Sequence, residues 1–238
     1  MRAGEIVVTA RRFAALVLVV VLAAGCGSAR ATGPRTITLT LVRHGQSAAN
    51  ASGLIDTSVP GPELTARGWC QATLVAPQLA PNHYDGMYAS TMIRTQETAT
   101  PTSQLLGEPV TVLSGLREIE AGQYEGTPEA GMAQTYFAAP RRWLQGDRNA
   151  RIPGSVDGNE FEVRFNEAVQ NIYDSGQQNP VAFSHGAAIM TWVLMNVRNP
   201  DLSLPSSKPL PNVGHVVVTG NPTDGWTLTE WDADPPPC

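Results

Sequence analysis

Two histidines in this chain occupy matching positions. The run "ITLTLV" gives way to Arg43-His44-Gly45, and the run "PVAFS" gives way to His185-Gly186. In each case an apolar, β-branched segment stops, a histidine follows, and a glycine comes next. The chain has four histidines, so two in this context argue against coincidence; His83 and His215 lack it and read as structural. Open α/β sheets hold their ligands beyond the carboxyl ends of the strands. A neutral imidazole placed there can attack phosphorus and form a phosphohistidine. Its other ring nitrogen is expected to be held by a backbone carbonyl, which fixes the tautomer. A phosphoryl group carries about two negative charges near neutral pH. Arg43 can grip its oxygens bidentately, as a lysine cannot. Gly45 and Gly186 remove a Cβ and let the backbone approach a ligand.

Histidines that meet from distant parts of a chain need strands to carry them. Residues 36–42, 84–90, 109–114 and 180–184 read as short buried strands. Helical spacing falls between them, at Leu64, Gly68, Ala72, Val75 and Leu79 within 63–80, and at Phe161, Phe165, Ala168, Val169 and Ile172 within 159–176. Residues 91–107 read as a helix bent or broken near Pro101, and 187–198 as a buried helix. Residues 215–220 and 226–231 form a closing hairpin. Strand alternating with helix predicts a three-layer α/β fold, a mostly parallel sheet flanked by helices on both faces. Residues 126–158 are irregular, rich in aromatics, arginine and glycine, and read as a short inserted cap.

The motifs resemble those of the histidine phosphatase superfamily, which contains metal-independent phosphatases and the phosphoglycerate mutases. "RHGQSAAN" resembles its signature. "LTARGWCQA", "YASTMIRTQETA", "LREIEAGQYEG", "GNEFEVRF", "SHG" and "PNVGHVVV" resemble its later landmarks, in order, over residues 36–231. The resemblance implies that His44 is the nucleophile, that Arg43 and Arg94 hold the phosphoryl group, that His185 completes the cradle as a donor, and that Glu118 is the general acid. A protonated His185 would donate better. Glu120 and Glu125 compete with Glu118 for the acid role. Ser47, Asn50 and Gly186 are further candidates for phosphate binding, and Ser47 also suits a helix or turn cap. No carboxylate and histidine cluster has metal-ligand spacing and no P-loop is present, so neither metal nor other cofactor is expected.

The expected function is metal-independent phosphomonoester hydrolysis on a small phosphorylated substrate. A mutase-like phosphotransferase using the same His44 is the chemical rival, and Arg141 and Arg142 in the cap are its candidates for a second anionic group. A catalytically inactive binding lipoprotein on the same fold is the rival of another class; the presence of Arg43, His44, Arg94 and His185 argues against it. Tyr136, Phe137 and Trp143 either contact substrate or pack the cap.

The bulk numbers agree. The 238 residues suit one sizeable domain, and a net charge of -5 offers no basic field for nucleic acid. The first 25 residues read as a signal peptide: Arg11-Arg12, then the apolar run 13–24. Cys26 then resembles the lipid-bearing cysteine of a bacterial lipobox, with Leu22 one position earlier than that pattern prefers. With the family motifs, this resembles an actinobacterial, mycobacterial-type lipoprotein. The expected location is the outer face of the cell membrane, with secretion as the alternative. Removing 1–25 takes away three arginines and one glutamate, moving the charge from -5 to -7, so attachment would need the anchor rather than attraction to anionic lipid. Residues 26–35 read as a tether and 232–238 as a proline-rich tail. Cys70 and Cys238 remain as a possible disulfide in an oxidising compartment.

Overall fold

The computed structural model describes residues 33–238, together with Met1 and Gly4. The chain divides into two units, Met1–Gly33 and Pro34–Cys238. Cys26, and all of the expected signal peptide except Met1 and Gly4, lie outside the described residues.

The second unit runs β1 (Ile37–Arg43), α1 (Ala48–Ser52), α2 (Ala66–Leu79), β2 (Gly86–Ala89), α3 (Ile93–Leu106) and β3 (Val110–Val112). It continues through α4 (Ala138–Leu144), α5 (Gly158–Asp174), β4 (Pro180–Ser184), α6 (Gly186–Asn196), α7 (Leu204–Ser207), β5 (His215–Asn221) and β6 (Gly225–Asp232). The six strands form one sheet in the order β3-β2-β4-β1-β5-β6. β3, β2, β4 and β1 are parallel, and β5 and β6 close the far edge antiparallel. The sheet is the mostly parallel one that the strand and helix alternation predicts.

Alternation along each strand divides the core into two layers. Leu39, Leu41, Tyr88 and Ala182 share one apolar cluster with α5 and α6. Val42, Ala89, Val181 and Phe183 share the other with α2 and α3. On α5 the predicted face is buried throughout, and the helix starts on a capping box between Asp157 and Glu160. Phe161 stacks on Trp143 at 5.8 Å, and Phe165 on Trp192 at 5.1 Å. Truncating such a buried aromatic side chain costs about 3–5 kcal/mol. α6 is apolar on nearly every side and correspondingly buried.

Two expectations change. Of the bend or break expected near Pro101, the break does not occur: α3 runs unbroken through it, so packing against α2 and the sheet outweighs the lost backbone donor. Residues 126–158, read as an inserted cap rather than core, contribute to the core. Tyr136, Ala139, Trp143, Ala150 and Ile152 belong to the same apolar cluster as the sheet, so the segment's inner side is core and only its outer side is loop.

The tail returns to α2, where Cys238 is disulfide-bonded to Cys70 with a Cα separation of 6.0 Å. The bridge spans 168 residues. On the chain-entropy account, closing so long a loop contributes about 5 kcal/mol.

Candidate active site

β1 and β4 are parallel neighbours with Arg43 opposite Ser184. The next residue on each strand is therefore a histidine, and the two emerge side by side at the carboxyl edge. Their ring centroids are 5.1 Å apart, and both side chains are buried. β2 lies on the other side of β4 with Ala89 opposite Phe183, so the residue after β2, Ser90, reaches the same edge. Its Oγ is 2.9 Å from His185 Nε2. α3 then starts and places Arg94 in its first turn. The chain beyond β3 carries Glu118. All four parallel strands thus lead into residues of one site.

His44 Nδ1 is 2.6 Å from the Gly45 carbonyl oxygen. That oxygen only accepts, so Nδ1 carries the proton and Nε2 keeps a free lone pair. Arg94 Nε donates to this lone pair at 3.2 Å. Burial, then Arg94 and Arg43, push the His44 pKa well below its ordinary value, against the Gly45 carbonyl. A neutral, lone-pair-bearing imidazole is the state a nucleophile needs. His185 is likewise pushed well down, by burial first and then by Arg94 and His44. It is therefore neutral rather than protonated beside these arginines. To donate from Nδ1 it must accept at Nε2 from the Ser90 hydroxyl. Ser90 Oγ is itself held by the Met92 N–H at 3.1 Å.

The arginines are anchored by backbone carbonyls rather than by carboxylates. Arg43 Nη1 donates to Leu210 at 2.7 Å, and Arg94 Nη2 to Asp56 at 3.1 Å. Carbonyls fix orientation and leave the positive charge available. Arg43 Nε, Arg94 Nη1 and His185 Nδ1 are buried and find no partner among the described residues. An unpaired buried donor costs roughly 1–3 kcal/mol, so each of these groups would gain from an acceptor. Gly186 makes room for one of these groups: a Cβ there would stand 3.1 Å from Arg43 Nε. Gly45 differs from expectation. A Cβ on it would meet the Gly68 carbonyl oxygen at 2.7 Å, so this glycine admits α2 and not a ligand.

Glu118 accepts from the N–H groups of Ile119 at 3.0 Å and Ala188 at 2.7 Å through Oε1, and of Ala187 at 3.2 Å through Oε2. Two of these donors belong to the first turn of α6, whose N-cap residue His185 provides no side-chain cap; Glu118 does so instead. Burial raises its pKa against these bonds and Arg94. Arg164 on α5 positions the loop that carries Glu118, donating to the carbonyls of Gly115, Arg117 and Glu118 at 3.1, 3.2 and 3.1 Å. The competitors are engaged elsewhere. Glu120 pairs with Arg117 and Arg164, and Glu125 accepts from Thr57 N at 2.7 Å and Oγ1 at 2.5 Å.

Arg43, His44, Arg94 and Glu118 form the floor of a cavity of about 630 Å³. His185 is packed against His44 and is not itself part of the cavity wall. Ser47 and Asn50 stand at the wall, where they form the capping box of α1. Asn50 Nδ2 also donates to Glu129 at 3.2 Å. Tyr136, Phe137 and Arg141 line the cavity. Arg142 turns away to Asp147. Trp143 is buried with its Nε1 on the Ala150 carbonyl at 2.6 Å, so it packs the fold and does not face substrate. Sequence reasoning missed Ser90, Arg164 and Asn212, whose Nδ2 donates to the His44 carbonyl at 2.9 Å. Ser90 carried a signal: "YAS" is another apolar run that stops at a polar residue.

Comparison with known proteins agrees with this geometry. The family model described as Histidine phosphatase superfamily (branch 1) matches residues 39–234. A PE-PGRS family protein of Mycobacterium tuberculosis, PE_PGRS11, is 44% identical over 217 residues, covering 84% of this chain and 37% of that protein. This chain therefore spans well under half of that relative. A Hydrogenobacter thermophilus protein named "Putative phosphoserine phosphatase 2" is 30% identical over 151 residues, covering 63% of this chain and 74% of that one. A solved mycobacterial glucosyl-3-phosphoglycerate phosphatase superposes with a TM-score of 0.67 at 22% identity, covering 83% of this chain and 100% of that one.

Proposed function

The chain belongs to the histidine phosphatase superfamily, and we propose that it hydrolyses phosphate monoesters through a phosphohistidine on His44. The observation that carries this is the arrangement of His44 on the cavity floor: Nδ1 tied to the Gly45 carbonyl and Nε2 accepting from Arg94, with burial and the arginines holding its pKa well below the ordinary value. Arg94 exchanges its bond to Nε2 for phosphoryl oxygens, and Arg43 grips the same group. The Nε2 lone pair attacks phosphorus in line. The ester P–O bond breaks, and its electron pair leaves on the alcohol oxygen, which takes the proton of Glu118. Oε2, which accepts only the longer bond of the three, is the oxygen that carries that proton. Water then gives a proton back to Glu118 and attacks phosphorus. The P–N bond breaks, its pair returns to Nε2, and inorganic phosphate departs.

Water rather than substrate is the favoured acceptor. A mutase must hold a second anionic group in the mouth. Arg142 is paired with Asp147, and Arg141, the remaining cap arginine on the wall, is exposed.

The test is p-nitrophenyl phosphate turnover without added metal, with acid-labile phosphoprotein trapped by rapid base quench. Wild type should accumulate the phosphoprotein. His44→Ala should show none and lose about 10⁴-fold or more in kcat, as nucleophile removal does elsewhere. Equal turnover by the two would end the nucleophile assignment.

Export and anchoring through lipid on Cys26 extend this reading. Their support is the basic pair Arg11-Arg12, the apolar run 13–24 and the cysteine directly after Gly25. Cells fed a clickable palmitate should label the wild-type chain and not Cys26→Ala. Label retained on Cys26→Ala would exclude this anchor.

A further inference from the structure

The wall above the floor has a chemistry of its own. Resting on the hydrolase reading, we infer that the substrates are phosphate monoesters of apolar alcohols, with no second anionic group. Leu54, Met132, Phe137, Leu144, Met190 and Leu202 line the cavity from four separate segments of the chain. Leu54 and Leu202 remain 38% and 49% exposed, so apolar surface faces the opening uncovered by the rest of the protein.

Three hydroxyls on the same wall already have partners. The Ser47 hydroxyl serves the cap of α1, Thr57 holds Glu125, and the Tyr136 hydroxyl donates to the Ile119 carbonyl at 2.5 Å. A sugar hydroxyl set against the apolar side chains would be buried unmatched, which loses binding. Charge also opposes a second anion. Asp56 and Glu129 stand on this wall, and among the described residues outside the floor only Arg141 opposes them. An alkyl or ring hydrocarbon meets neither obstacle. The cavity of about 630 Å³ lies within the roughly 300–1,000 Å³ range that holds drug-sized molecules, which leaves room for several carbons beyond the phosphoryl group.

The experiment measures kcat/KM of the purified full-length chain on n-alkyl phosphates from propyl to octyl, and on glycerol 3-phosphate and 3-phosphoglycerate. Leaving-group basicity hardly changes along the alkyl series, so the slope reads the wall alone. The expected slope is about fourfold per methylene until the cavity is filled, the factor for moving one CH₂ out of water. Glycerol 3-phosphate should fall below propyl phosphate although its alcohol is the better leaving group, and 3-phosphoglycerate lower still. Leu54→Asp and Leu202→Asp, at exposed positions, should flatten the slope, read within each variant as the ratio of octyl to propyl phosphate kcat/KM. A flat series, a preference for 3-phosphoglycerate, or an unchanged slope in both variants would overturn the inference while p-nitrophenyl phosphate turnover upholds the hydrolase. Absence of turnover on every ester, p-nitrophenyl phosphate included, would overturn both.

Discussion

The floor and the mouth of the cavity are built on opposite plans. On the floor, reactive side chains lie at or just beyond strand ends and are held by backbone groups: Gly45 and Leu210 carbonyls for His44 and Arg43, three N–H groups for Glu118. These anchors are fixed by sheet register and by the first turn of α6. The mouth comes from the segment after α1, from the 126–144 stretch, from α6 and from the segment containing α7. Its carboxylates accept from neighbouring polar groups, Glu129 from Asn50 and Asp56 from Ser58, and its apolar side chains stand partly exposed. A floor locked to the sheet suits one reaction. A mouth assembled from separate loops and helix ends can change its substrate without disturbing that floor.

The sharpest way to break this contrast is Glu118→Gln, which removes the acid and keeps its size. With an alkyl leaving group, kcat should fall about 10²–10⁴-fold, the usual range for a general acid. With p-nitrophenyl phosphate the loss should be much smaller, because nitrophenolate departs without a proton. The amide also turns an N–H toward the Ala187 N–H, now 3.2 Å from Oε2, so a modest drop in melting temperature should accompany it. Equal losses on both esters would reassign Glu118 to a purely structural cap of α6.

The same contrast decides what the amino-acid sequence discloses. Arg43, His44 and His185 were readable because a β-branched run that stops at histidine is a local pattern, and parallel pairing turns equal position along the strand into proximity. Arg94 and Glu118 needed the family resemblance, since nothing local says that the chain after β3 bends back over α6. Arg164 was unreadable as a positioning residue, because its targets are carbonyls 46 to 49 residues away. Ser47 was ambiguous from the start, and its local bonds form the capping box. The composition of the mouth was hidden for the same reason as Arg164. Leu54, Met190 and Leu202 are far apart in the chain and carry no periodicity that joins them.

Acid tests the floor through stability. Burial and the two arginines hold His44 and His185 well below their ordinary pKa. Below about pH 6.5 the unfolded chain takes up protons that the folded chain refuses. Stability is therefore full above that pH and falls as pH drops, by up to about 1.4 kcal/mol per pH unit for each histidine. Glu118 acts in the other direction: its carboxyl is raised, so it costs stability at neutral pH and recovers it toward the acid range. The urea midpoint of wild type should decline between about pH 7 and 5.5, and that of His185→Asn should decline less. Identical slopes would mean that the imidazole is not kept neutral by its surroundings.

The smallest effect belongs to Arg142, and its smallness is informative. Its pair with Asp147 is solvent-exposed, with side chains 62% and 43% accessible. Such pairs contribute about 0–1 kcal/mol, so Arg142→Ala should leave melting temperature nearly unchanged and kcat/KM on alkyl phosphates within about twofold. A mutase-like mouth predicts otherwise. If Arg142 swings from Asp147 to hold a second anionic group, its removal costs the free energy of a charge-assisted contact. Turnover of 3-phosphoglycerate would then fall about tenfold or more while alkyl phosphates stayed unaffected. Asp147→Ala separates the cases from the other side: it frees Arg142, and a gain on 3-phosphoglycerate would mean that the exposed pair masks an anion site at the mouth.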